Sequence, residues 1–139
     1  MTTPFICVFA ALVLVYASHL PGMYARAKDK KGYDNKQPRR QQRRLKGWGA
    51  RAVAGHQNAL ETFPLFASAV IINHLADGDL RTASLLAIAY VIARALYHVA
   101  YLADADYIRT LFWLIGFITT CVLFVEPWLG GAAATAVVP

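Results

Sequence analysis

The chain has 139 residues, 58% of them hydrophobic and 16% charged, and its formal net charge is +6. This composition excludes an ordinary soluble domain and indicates a small integral membrane protein. A helix that crosses a bilayer needs about 20 mainly apolar residues. Four segments qualify, at about 5–24, 52–76, 82–102 and 107–130, and they make nearly the whole chain, 1–139, a single membrane domain.

A basic, exposed loop at 26–50 follows the first apolar segment. Eleven of the fourteen Lys and Arg residues lie between Arg26 and Arg51, and short loops rich in these residues stay on the cytoplasmic side of a membrane. With four crossings, both termini then lie outside, and a bacterial inner membrane is the simplest location. The loop lacks the interleaved aromatic residues typical of nucleic-acid binding, so we expect contact with anionic lipids and none with nucleic acid.

The second apolar segment carries rare polar residues at membrane depth, namely Arg51, Asn58 and Glu61. An ionisable group in hydrocarbon costs several kcal/mol unless it has a partner, so such residues are functional candidates by default. At 3.6 residues per turn, these three side chains fall within about 60° of one line. The segment is therefore predicted to be a helix with one polar face.

The third and fourth segments have polar faces of the same kind. Arg94, Tyr97 and Tyr101 lie on one side of the third helix, and Arg109 lies near the start of the fourth. Charged side chains at membrane depth face protein or water, so the three polar faces should meet in one cationic, phenol-lined cleft near the cytoplasmic interface. We also expect Arg94 to form a structural ion pair with Glu61, the usual remedy for an isolated charge.

The cysteines and histidines give no sign of a metal site or a disulfide. Cys7 and Cys121 each lie inside an apolar segment, and His98 has no partner at the spacing of metal ligands. The sequence therefore predicts no metal.

These residues form a pattern that resembles the MAPEG family, the membrane-associated proteins of eicosanoid and glutathione metabolism. The family includes microsomal glutathione transferases, leukotriene-C synthase and microsomal prostaglandin E synthase. The resemblance covers the whole chain and is carried by Arg51-x6-Asn58-x2-Glu61-x2-Pro64-x-Phe66, by Arg94-x2-Tyr97-x3-Tyr101 and by Arg109. It implies an all-α four-helix membrane bundle that assembles as a homotrimer, with glutathione as cosubstrate between neighbouring subunits at the cytoplasmic side.

The resemblance also implies roles for single residues. By position, Asn58, Glu61, Tyr97 and Tyr101 would bind glutathione, and Arg109 would be the catalytic residue that lowers the pKa of its thiol. The implied activity is that of a transferase or peroxidase acting on hydrophobic electrophiles dissolved in the bilayer.

One position departs from the family pattern. The eicosanoid synthases carry an arginine four residues before the motif asparagine, where this chain has Ala54. Arg51, one helical turn earlier, is the candidate to replace that arginine in binding glutathione. The same departure favours a second hypothesis, a non-catalytic lipid-binding or scaffolding protein with the MAPEG fold.

Overall fold

The computed structural model describes residues 1–30 and 32–134, with side chains through residue 129. The chain forms five helices, which are α1 (Thr3–Ala27), α2 (Pro38–Gln42), α3 (Trp48–Leu75), α4 (Leu80–Leu102) and α5 (Asp106–Ala134). The prediction of an all-helical protein is confirmed, since all five elements are helices and the described part contains no strand.

Three helices are long and apolar enough to cross a membrane, at Thr3–Ala27, Leu80–Leu102 and Asp106–Leu129. Large apolar side chains such as Phe9, Leu85 and Val99 are exposed on the outer surface of the bundle, as expected for side chains that face lipid. The chain is therefore an integral membrane protein. Helix α3 falls outside this group because charged and polar residues interrupt its apolar sequence.

The core lies where α1, α3, α4 and α5 meet. Helix α3 packs against α1, α4 and α5, and α4 packs against both α1 and α5. At the centre, the rings of Phe66 and Tyr90 stack with centroids 3.7 Å apart, and both side chains are almost fully buried. Small buried residues such as Ala69 and Ala87 let the helices approach closely.

Two short turns make α3, α4 and α5 antiparallel neighbours. Asp77 and Asp104 each follow a helix end with a positive φ, of 54° and 63°. In each turn the next backbone N–H donates to the carbonyl five residues earlier, at 2.9 and 3.0 Å, which satisfies a helix end. Asp79 then caps α4, because its carboxylate accepts a 2.7 Å hydrogen bond from the Thr82 N–H. These turns set the register between the three helices.

The basic loop is folded around Gln41, whose side chain is 1% exposed. Its amide nitrogen donates to the carbonyl oxygens of Gly32, at 2.7 Å, and of Arg26, at 3.2 Å. Its amide oxygen accepts from Arg26 Nε and from the Asp34 N–H, both at 3.1 Å. Most described residues of the loop are exposed, as the sequence predicts. The structure adds that the buried Gln41 side chain holds α2 against the end of α1.

Candidate functional site

Five of the predicted residues form one continuous row across three helices. The Asn58 amide oxygen, on α3, accepts a 2.8 Å hydrogen bond from Arg94 Nη2 on α4. The Arg94 guanidinium lies 4.3 Å from the centroid of the Tyr97 ring, and that ring meets the Tyr101 ring edge-on at 5.4 Å. Arg109, on α5, completes the row with its guanidinium 4.6 Å from the Tyr101 centroid. Guanidinium groups thus stand at both ends of a pair of phenol rings.

Helix geometry explains why the row is continuous. Arg94, Tyr97 and Tyr101 are three and four residues apart, so their side chains lie above one another on one face of α4. Gly116 on α5 leaves room for the first of them, since a Cβ at that position would lie 3.3 Å from Arg94 Cδ. The short turn at Asp104 then brings Arg109 beside the Tyr101 end of the row.

The row passes from buried to accessible. Arg94 and Tyr97 are each only 4% exposed, whereas Asn58, Tyr101 and Arg109 are half-buried. A guanidinium over an aromatic face gains up to about 2 kcal/mol when it is desolvated, which helps to hold Arg94 inside the bundle. The accessible guanidinium of Arg109 is the one that a ligand can reach. An anion such as a thiolate is stabilised beside such a cation.

Glu61 lies one turn beyond Asn58 on α3, and its side chain is exposed in the single subunit. Arg94 donates to Asn58 rather than to Glu61, because Arg94 is buried inside the bundle while Glu61 is on its surface. Among the side chains that the structure describes, the ion pair within 4.0 Å is between Arg51 and Asp104. The Glu61 carboxylate is therefore accessible to a ligand.

Arg51 lies apart from the row. Its Nη1 is 3.1 Å from a carboxylate oxygen of Asp104, and its Nη2 donates to the Leu102 carbonyl at 3.4 Å. A cation is favourable at the C-terminal end of a helix, which is where Arg51 meets α4. Arg51 thus stabilises the turn between α4 and α5 that precedes Arg109.

A model of the MAPEG family matches residues 3–128, a range that contains every residue of the row. The chain belongs to the MAPEG family. No curated protein matches it.

Two cavities of this MAPEG subunit border the predicted site. One, of about 290 Å³, lies between α1, α3 and α4 and has Arg51, His98 and Tyr101 in its otherwise mainly apolar wall. The other, of about 190 Å³, lies between α3, α4 and α5 and has Arg94 and Trp113 in its wall. The predicted side chains thus form a row within one subunit without sharing one cavity.

The structure also shows polar contacts that the sequence did not predict. Asn73, 2% exposed, donates to the Leu123 carbonyl at 3.0 Å and to Glu126 at 2.8 Å, which joins α3 to α5 at the end of the bundle away from the basic loop. Ser18 Oγ and His56 Nδ1 are 3.0 Å apart between α1 and α3. Asn73 shares the polar face of Asn58 at helical spacing, and that was the available signal for the first contact.

Proposed function

We propose that this MAPEG protein is a glutathione-dependent transferase or peroxidase acting on hydrophobic electrophiles. The observation that carries the proposal is the row from Asn58 to Arg109, which ends in an accessible guanidinium beside two phenol rings. Glutathione has two carboxylates, an amino group and a thiol, so it requires cations, an acid and a group that favours the thiolate. Arg109 supplies a cation that favours the thiolate, and the exposed Glu61 supplies a carboxylate for the amino group.

Each residue has a role that follows from its position. Arg94 occupies the amide oxygen of Asn58, so the Asn58 NH₂ group is free to donate to the bound peptide. Glu61 is exposed one turn away and pairs with the amino group of glutathione. The half-buried Tyr101 flanks the tripeptide, the buried Tyr97 packs against the Tyr101 ring, and Arg109 stands next to the sulfur.

The reaction uses the sulfur of glutathione as the nucleophile. Arg109 favours the thiolate, and the thiol proton passes to water. In a displacement, a carbon–sulfur bond forms while the carbon–halide bond breaks and the halide leaves with its electron pair. In the peroxidase reaction, two glutathione molecules reduce one hydroperoxide to an alcohol and water and are oxidised to glutathione disulfide. An electrophile dissolved in the bilayer reaches the site laterally.

The exposed polar face of α3 supports an oligomer. Helix α3 has 28 residues, a length of about 42 Å that is sufficient for a fourth crossing. Glu61 and Gln57 are exposed on this helix, and a carboxylate facing lipid is too costly to leave uncovered. We propose a homotrimer in which a neighbouring subunit covers this face and glutathione binds between subunits. The basic loop then lies in the cytoplasm and both termini outside, in a bacterial inner membrane.

The test measures glutathione binding and turnover on protein purified in a neutral detergent. We expect saturable binding at millimolar glutathione and a measurable rate of conjugation with chlorodinitrobenzene. Arg109→Ala should lower that rate at neutral pH at least about tenfold, because a neighbouring charge shifts a pKa by about one to three units. Arg81→Ala removes an exposed arginine from the far end of α4 and serves as the matched control. Equal rates in the two variants would reject the role of Arg109.

A second function is favoured by the surroundings of Arg51. Ala54 stands where the eicosanoid synthases carry an arginine, and Arg51, its candidate replacement, is held by Asp104 and the Leu102 carbonyl. A subunit without that cationic contact with glutathione would serve as a lipid-binding or scaffolding protein. No saturable binding of glutathione at millimolar concentration would favour this second function and reject the first.

A further inference from the structure

A cavity of about 610 Å³ lies between the basic loop and the cytoplasmic halves of α1 and α3. We propose that this loop cavity binds the phosphate group of an anionic phospholipid from the cytoplasmic leaflet. The proposal concerns a site separate from the row that ends at Arg109. The polar part of its wall consists of His19, Arg26, Arg39, Gln42, Arg43, His56 and Gln57.

The basic wall of the loop cavity is held in place by buried hydrogen bonds. Gln41 binds Arg26 through both its amide oxygen and its amide nitrogen, and Arg26 Nη2 also donates to the Asp34 carbonyl at 3.2 Å. Arg26 is 3% exposed. This cluster fixes α2 against α1. The fold itself therefore sets where α2 and its arginines lie.

Only one side of α2 contributes to the loop cavity. Arg39 and Arg43 are four residues apart, so they lie on the same face, and both line the cavity. Arg40 and Arg44 have the same spacing one residue later and are not among the lining residues. The four arginines therefore divide into a lining pair and a matched pair outside the cavity.

The charge of the wall selects an anion. Three arginines and two histidines line the loop cavity, and none of its lining residues is acidic. The rings of His19 and His56 are 4.6 Å apart in the same wall, and His19 adds one N–H donor to those of the arginines. A phosphate group can accept hydrogen bonds from several such donors at once.

The remaining wall selects a lipid over free phosphate. Gly22, Pro38, Ala52, Val53 and Leu60 form its apolar part, and the Leu60 side chain is 50% exposed. His19 lies eight residues before the end of α1 at Ala27, which is about 12 Å along the helix. An amphiphile can therefore place its phosphate among the arginines and its acyl chains along α1 and α3.

The test uses detergent-solubilised protein, so that no charged lipid surface contributes to binding. Short-chain phosphatidylglycerol is titrated against the wild type and two double variants of equal charge, and binding is followed by the rise in melting temperature. One ion pair between an exposed arginine and a phosphate contributes up to about fivefold in affinity. We expect R39Q/R43Q to weaken binding by up to roughly 25-fold and R40Q/R44Q to change it less than about twofold.

Three further arms identify the ligand. Phosphatidylcholine and inorganic phosphate should each bind at least about tenfold more weakly than phosphatidylglycerol, because one lacks net charge and the other lacks acyl chains. Equal losses in the two double variants would overturn the proposal, as would equal binding of phosphatidylcholine or of inorganic phosphate. Displacement of phosphatidylglycerol by glutathione would assign the loop cavity to the glutathione site instead. Turnover with glutathione is measured separately on R39Q/R43Q, so that a failure of the lipid proposal can be distinguished from a failure of the proposed function.

Discussion

Substitution of Asn58 separates its structural role from its role towards glutathione. The Asn58 amide oxygen accepts the 2.8 Å hydrogen bond from the nearly buried Arg94. Asn58→Leu removes that acceptor and leaves the guanidinium with one bond fewer. Asn58→Asp keeps an oxygen at the same place and adds a counter-charge, so Arg94 remains paired.

The magnitude follows from the loss of one hydrogen bond to a charged group. Such a bond contributes about 1.5–3 kcal/mol, and a chain of this size changes its melting temperature by roughly 4 °C per kcal/mol. Asn58→Leu should therefore melt roughly 6–12 °C below the wild type, whereas Asn58→Asp should melt at the same temperature or above it. Both variants should bind glutathione at least about tenfold more weakly, because the NH₂ donor is gone in each.

The assay is thermal unfolding in neutral detergent, followed by glutathione titration of the same samples. Asn35→Leu makes the same substitution at an exposed position of the basic loop, so it serves as the control and should melt within about 2 °C of the wild type. If Asn58→Asp melted as early as Asn58→Leu, the hydrogen bond to Arg94 would not be what stabilises this part of the bundle. Unchanged glutathione binding in both variants would remove Asn58 from the site.

Three further predictions concern the ends of the bundle and are checked by unfolding or proteolysis. Gly78→Ala should lower the free energy of unfolding by about 2–4 kcal/mol, because the new Cβ would lie 2.5 Å from the buried Asn73 amide oxygen. Stability equal to that of the wild type would show instead that the Asn73 side chain can move away without cost. Gln41→Leu should make the basic loop more sensitive to trypsin in detergent, since it removes the hydrogen bonds of the Gln41 side chain to Arg26, Gly32 and Asp34. An unchanged cleavage rate would contradict that account. Hydrogen bonds from Thr82 lower the pKa of the Asp79 carboxyl, so its cap stabilises α4 above the ordinary pKa of an aspartate and loses its effect as the pH falls through the lowered value. The difference in melting temperature between the wild type and Asp79→Ala should therefore shrink on acidification, and a difference that grew instead would reverse the assigned sign.

The fold could be predicted where a short stretch of sequence determines it. Apolar length indicated the long helices, and the Asp77-Gly78-Asp79 sequence is typical of the turn that the structure shows. Helical spacing also placed Arg94, Tyr97 and Tyr101 on one face, as observed in the row. Each of these inferences depends only on residues within a few turns of one another.

The partners of the charged residues could not be predicted in the same way. Arg94 meets Asn58 across 36 positions of sequence, and the choice between Asn58 and Glu61 depends on how α3 is rotated against α4. Arg51 is on the polar face of α3, yet the start of that helix lies beside the C-terminal end of α4, where Arg51 pairs with Asp104. Gln41 folds the basic loop largely through backbone groups, and a sequence pattern does not report those.

The most direct test of the central claim is the ionisation of glutathione bound to the detergent-purified protein. Thiolate absorbance is recorded against pH for the wild type and for Arg109→Gln, with binding verified in both. The account predicts that the wild type holds the thiolate at pH values well below about 8.5, the ordinary value for a cysteine thiol, and that Arg109→Gln raises the midpoint by about one to three units. The same midpoint in both proteins, with glutathione bound to each, would contradict it.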